Sequence, residues 1–386
     1  MEKTKTRKYR IIILGAGFSR LAGLPLGDEL WTICLRRAKL TILYENKLKY
    51  DIKNFIEYKY YKTGIKINES NINLEEFFGF LDIEHFLGLK GSDTMTSTGN
   101  ESQHLLKNII AEEIHNKQSV MSKFQWDAYE QFASNLLPGD TVITLNYDTI
   151  LENALERINK KYRLFPQRYE SVHLGGAYVD QNSEDVIILK LHGSIDWFDY
   201  TPMIEFEEYV KKSNSNYKPT HPIFSNPKLF NSSQIIDGPR HEDDILKNIY
   251  RAKNLEFYFN QTPSVTTSPL ILAPSFSKIL YINPLKSFLF GMNGYGNLNF
   301  GLNIIGFSLP SHDEYLYQIL YRICTNYQKY NQKIFELRKT KVNFVNFAKD
   351  NKSKESLYER FRFLNWKKTN CFWNGFEKDI IKKLFK

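Results

Sequence analysis

The chain has 386 residues, 42% of them apolar and 25% charged, a profile that excludes a disordered chain and leaves room for one large core or two to three folding units. Its formal charge of +9 points toward polyanions. However, the lysines are scattered, the denser clusters (Lys3 to Arg10 and Lys378 to Lys386) sit at the ends, and no nucleic-acid-reading module is evident, so direct nucleic-acid binding is not favoured.

Taken in chain order, Ile11 to Leu14 form a short apolar strand that runs straight into Gly15-Ala16-Gly17-Phe18-Ser19 and then Gly23-Leu24-Pro25. Two glycines in such a turn let the backbone bend sharply and approach a diphosphate, although Arg20 stands where a third glycine would complete G-x-G-x-x-G. Gly27-Asp28-Glu29 opens a helix with acidic residues at its positive end. Residues 41–118 read as a helical insertion with a loop at 91–100. The spacing of Phe124, Ala128, Phe132 and Leu136 predicts an amphipathic helix, closed by Pro138-Gly139-Asp140. Strands follow at 141–145 and 186–191, the first leading into a helix over 149–159. Residues 199–265 are polar and read as a second insertion. Two more apolar strands are expected at 269–273 and 302–305, a helix at 313–321, a last strand at 342–347 and a helical tail. Strands alternating with helices predict an α/β, Rossmann-like, mainly parallel sheet with helices on both faces. In domain terms, 1–40 with 119–330 would form the nucleotide-binding unit, carrying the two insertions, and 331–386 a C-terminal strand and helices.

Four motifs each follow a predicted strand: Gly15-Ala16-Gly17, Asn146-Tyr147-Asp148, His192-Gly193 and Gly306-Phe307-Ser308. In an open parallel sheet such positions converge on one crevice. Each also has a structural alternative. Asn146 or Asp148 could cap a helix, His192 could be a fixed strand-end histidine, and Gly193 and Gly306 could serve tight turns.

Taken together and in this order, the motifs resemble the sirtuin-like family, specifically its divergent bacterial branch. Gly15 to Ser19 with Gly23 to Pro25 is similar to that family's G-A-G-x-S…G-L-P signature. Thr144 to Asp148 matches a T-x-N-Y-D variant, Leu191 to Ser194 the element with the active-site histidine, and Gly306 to Pro310 a late G-x-S-L turn. The resemblance implies an NAD site in which Asn146 and His192 are catalytic. Gly15, Ala16, Gly17, Phe18, Ser19, Pro25, Asp148, Gly193, Gly306 and Ser308 would contact the dinucleotide, with Asp148 also steadying the Asn146 turn.

The departures carry information too. Deacylases of this family hold a zinc module with two Cys-x-x-Cys pairs, whereas Cys34, Cys324 and Cys371 form no such pair, so no zinc module and no metal is expected. Leu26-Gly27-Asp28 replaces the Phe- and Arg-bearing sequence usual after the proline. The zinc-less branch is associated with NAD hydrolysis in anti-phage systems, as an oligomer or beside a HerA-type ATPase or short Argonaute. The implied reaction gives nicotinamide and ADP-ribose. An NAD or ADP-ribose sensor and an ADP-ribosyltransferase are the alternatives. No signal-peptide core follows the basic N-terminus and no run approaches about 18 apolar residues, so a cytoplasmic location without membrane contact is expected.

Overall fold

Ile11, Ile12, Ile13 and Leu14 are all buried, as a central parallel strand covered on both faces requires. They belong to β1 (Arg10–Leu14) in a computed structural model that describes residues 10–89, 99–164, 169–173, 176–179, 185–213, 216, 222–235, 245–260, 268–272, 299–309, 314–329 and 340–385. The other main-sheet strands are β2 (Thr141–Thr144), β3 (Tyr162–Leu164), β6 (Val186–Lys190), β10 (Gly301–Ile305), β11 (Val342–Val345) and β12 (Thr369–Phe372). They form one seven-stranded sheet of order β12-β11-β10-β1-β2-β6-β3, and every pairing is parallel. The fold is therefore an α/β, Rossmann-like sheet.

Helices cover both faces, as neighbouring residues of β11 demonstrate. The Asn343 amide reaches the carbonyl of Leu384 in the helix Lys378–Leu384, while Phe344 packs on Phe361 at the end of the helix Asn351–Arg360. From β1 the sheet grows one way through β2, β6 and β3, then resumes on the other side of β1 with β10, β11 and β12. The reversal lies between β1 and β10, and a crevice opens outside the carboxyl ends of strands at such a point.

Between β1 and β2 come α1 (Gly27–Ala38), α2 (Lys49–Thr63), α3 (Leu74–Phe86), α4 (Glu101–Ser119) and α5 (Lys123–Ser134). Their starts are locally encoded. Asn73 accepts from Glu76 N, and Asn100 and Gln103 exchange hydrogen bonds at the head of α4. Most of the loop expected at 91–100 falls outside the described residues. After β3 in the chain, β4 (Tyr169–His173) and β5 (Gly176–Val179) make a separate antiparallel pair. Within 199–265, part of the chain folds as α7 (Thr201–Lys212), and β8 (Ser232–Gln234) and β9 (Ile249–Ala252) join β7 (Trp197–Asp199) in an antiparallel sheet of order β7-β9-β8.

Two expectations change, and one strand was not foreseen. The apolar segment at 269–273 is not a strand. Its described residues, 269–272, make a single antiparallel bridge, Ile271 to Gly193, and run alongside residues 192–197, which follow β6, instead of beside a strand of the main sheet. The strand at 342–347 is not the last, since Thr369–Phe372 in the supposedly helical tail adds β12 at the sheet edge. The edge strand β3 carries Tyr162 and Arg163, so it lacks the apolar run by which strands are recognised in sequence.

Candidate functional site

The turns after β1 and β10 interlock backbone to backbone. Gly15 N donates to Ile305 O at 2.9 Å and Gly17 N to Gly306 O at 2.8 Å. A Cβ on Gly306 would lie 2.2 Å from Phe18 N, and one on Gly17 would lie 2.7 Å from Gly306 Cα. Gly306 also sits at φ +64°, in the left-handed region. The glycines are thus required by the approach of the two turns. The N–H groups of Gly15 and Gly17 are committed to that contact.

Phe18 points away from the crevice. It is buried among Tyr129, Phe132 and Phe376, with ring centroids 5.2, 5.0 and 4.6 Å away. The Tyr129 hydroxyl donates to Phe18 O at 2.9 Å and accepts from Ala22 N at 3.1 Å, clamping the loop. Burial, reinforced by Asp148, pushes that phenol far above its ordinary pKa and keeps it a donor. Pro25 lines a pocket of about 430 Å³ together with Arg20, Glu29, Thr32 and Lys117.

Beside this loop, the turn after β2 brings Asn146 to Ser19. Asn146 is 8% exposed, and its amide donates to Gly15 O at 3.0 Å and to Ser19 Oγ at 2.9 Å. With both amide hydrogens engaged, Oδ1 is left as the acceptor. Ser19 Oγ in turn donates to Asp148 Oδ2 at 2.6 Å, and Asp148 Oδ1 accepts from Ile150 N at the start of α6 (Ile150–Arg157). Neither capping candidate is the N-cap of α6, which is Thr149; Asp148 reaches the first helical N–H from just before it, and Asn146 faces the glycine turn.

His192 follows β6 and is 5% exposed. Its carbonyl accepts from Leu272 N at 2.9 Å, and Tyr147, whose hydroxyl donates to Leu272 O, lies 6.2 Å from the imidazole between centroids. Ile195 N donates to Tyr147 O at 2.9 Å, which joins the Asn146 and His192 turns directly. Gly193 adopts φ +76°, and a Cβ there would lie 1.9 Å from Leu270 O, so the segment bridged to it leaves no room for a side chain. Ser308, two residues beyond Gly306, is exposed between the buried Phe307 and Leu309, and its carbonyl accepts from Arg360.

Beneath these turns lies a buried charge network. Lys190 donates to Glu152 Oε1 at 2.8 Å and to the carbonyl of Asp148, and Arg251 Nε donates to Asp196 Oδ2 at 2.5 Å. Ser194 also donates to Asp196. Burial pushes the Asp196 carboxyl up, but the Arg251 guanidinium and the Lys190 ammonium outweigh it and hold the group below its ordinary value. Burial wins at Glu152, which is raised despite Lys190. Sequence reasoning missed all four residues. The one available signal was a lysine closing the apolar run Val186 to Leu189.

Residues 140–274 match the model of the SIR2-like domain, a NAD-dependent family. This SIR2-like segment includes Asn146, Asp148, His192 and Gly193, whereas the glycine turns at 15–17 and 306 lie outside it and join the site through the sheet. No curated protein matches the chain. Among solved structures, that of Sir2Tm bound to a propionylated peptide aligns over 97% of this chain and 91% of that one, at 12% identity and a TM-score of 0.30, a likeness too distant to bear on function. Among the described residues no group of three His, Cys, Asp or Glu could hold a metal ion, and no helix is long and apolar enough to cross a membrane.

Proposed function

We propose that this chain cleaves the nicotinamide–ribose bond of NAD, with water as the acceptor, giving nicotinamide and ADP-ribose. The observation that carries the reading is the meeting of the Asn146 and His192 turns with the interlocked glycine turns at the switch point between β1 and β10. The diphosphate would lie over the first turn, held by the N–H groups that the β10 turn leaves available, Ala16 among them. Pro25 would wall the far side, and Gly193, Gly306 and Ser308 would border the ribose and adenosine. Phe18 would contribute backbone alone, and Ser19 and Asp148 would act mainly through Asn146.

The chemistry asks for little. Nicotinamide leaves the ribose carbon as a neutral molecule, taking the electron pair of the bond and leaving an oxocarbenium-like centre. Asn146 Oδ1 accepts from a ribose hydroxyl or from the attacking water. His192 takes the proton that the water loses as its oxygen bonds to that carbon. Such a reaction left open would empty a cell of NAD. Activity would therefore be gated in an anti-phage setting, by self-association or by a partner such as a HerA-type ATPase or short Argonaute, docked on 41–118, 199–265 or the C-terminal region.

The test is to incubate the purified chain with NAD and follow both products by chromatography. Asn146→Ala and His192→Ala should each lower the rate by about 100- to 10,000-fold. Variants as active as the parent would sink the assignment. Label appearing on macromolecules instead of free ADP-ribose would favour a transferase.

A further inference from the structure

Lys190 ends β6 two residues before His192, after four buried apolar residues. Another apolar side chain would complete that strand without the desolvation of an ammonium group. The side chain is 0% exposed. Pairing with Glu152 does not account for it, because a buried ion pair is on average no better than two well-packed apolar residues.

Its second acceptor does account for it. The Asp148 carbonyl belongs to the turn that carries Asn146. The Asp148 carboxylate accepts from Ser19 Oγ, and Ser19 Oγ accepts from the Asn146 amide, whose other hydrogen goes to Gly15 O. Hydrogen bonds thus run without a break from β6 to the β1 turn. They hold the Asn146 turn at a set distance from β6, and therefore from His192, and they fix which amide atom stays available as an acceptor.

We propose that Lys190 is a positioning residue, which touches no substrate and sets the Asn146 turn against the His192 turn. Its kinetic consequence rests on the NAD-cleaving reading above, whereas its structural consequence does not.

Lys190→Met alone would leave Glu152 buried without its cation, so the variant of choice in the full chain is Lys190→Met with Glu152→Leu. This pair removes both charges together and leaves Asp196 paired with Arg251. The fold should persist, with an unchanged far-ultraviolet spectrum, because an apolar pair of similar volume is tolerated there. Amide hydrogen exchange should rise in the peptide spanning 145–149 and stay unchanged in α5. On NAD, kcat should fall by roughly 10- to 100-fold, the effect of a displaced reacting group, while KM moves by less than about 3-fold. Adding Asn146→Ala to the double variant should then cost far less than it does in the parent, since the residues act as a unit. Unchanged exchange at 145–149, or fully multiplicative losses, would overturn the proposal. A parent chain that neither cleaves nor binds NAD would instead overturn the proposed function, and the exchange measurement would still judge Lys190.

Discussion

Gly306→Ala tests the contact on which the site is built. Two costs add. The residue sits at φ +64°, where an L side chain costs about 1–2 kcal/mol. The new Cβ would also lie 2.2 Å from Phe18 N and 2.3 Å from Gly17 C, both backbone atoms that cannot rotate away. Forcing the turns apart should cost about 1–3 kcal/mol more, for a total of about 2–5 kcal/mol. Gly23→Ala is the internal control, because Gly23 has φ +79° with nothing within 4 Å of its would-be Cβ, so only the first cost applies. Urea unfolding of the parent and both variants isolates the steric part as their difference. Calorimetry with NAD then asks whether the displaced turn still binds. If Gly306→Ala costs no more than Gly23→Ala, the β1 and β10 turns are not in the close contact described, and the argument for a shared crevice fails.

Buried His104, whose Nδ1 lies 2.7 Å from Ser268 Oγ, has its pKa depressed to about 3, chiefly by burial and secondarily by Lys107 and His85. The unfolded chain binds this proton near pH 6.5 and the folded chain does not. Stability should therefore be complete above that pH and fall by about 1.4 kcal/mol per unit below it, toward pH 3. Urea midpoints at pH 7, 6 and 5 should show this slope, and a non-titrating His104→Gln should flatten it; equal slopes would refute the burial argument. Thiol chemistry supplies a further check. Burial pushes Cys34 up to about 12 and raises Cys324 further, while Cys371 is only half-buried in β12. A thiol reagent at pH 8 should modify at most Cys371 in the native chain and all three residues in urea. Rapid native labelling of Cys34 or Cys324 would contradict their burial.

Much of the candidate site's placement was legible in the sequence because a strand-end motif is local. An apolar run followed by Gly-x-Gly, Asn-Tyr-Asp or His-Gly announces both a strand and the residue that follows its carboxyl end. The sheet's centre was legible for the same reason, since β1, β2, β6 and β10 are buried on both faces and are mainly apolar, with few polar residues such as Thr141, Thr144, Lys190 and Asn303. Its edges were not. β3 and β12 carry polar residues on a half-open face, and 269–272 is apolar because it packs on the residues that follow β6, with a single bridge in place of a strand's ladder. Periodicity cannot separate those two causes.

By itself, then, the sequence determined the sheet's central strands and which residues stand at their carboxyl ends, because both follow from short-range burial and turn chemistry. Tertiary structure alone decided what those residues do. It turned Phe18 into the core, spent the Gly15 and Gly17 amides on the β10 turn, set Asp148 against the first N–H of α6 and left Asn146 oriented by Ser19. It also set Lys190, Glu152, Asp196 and Arg251 beneath the site. These roles depend on partners separated by tens to hundreds of residues along the chain, and a hydrogen bond is decided by distance in space.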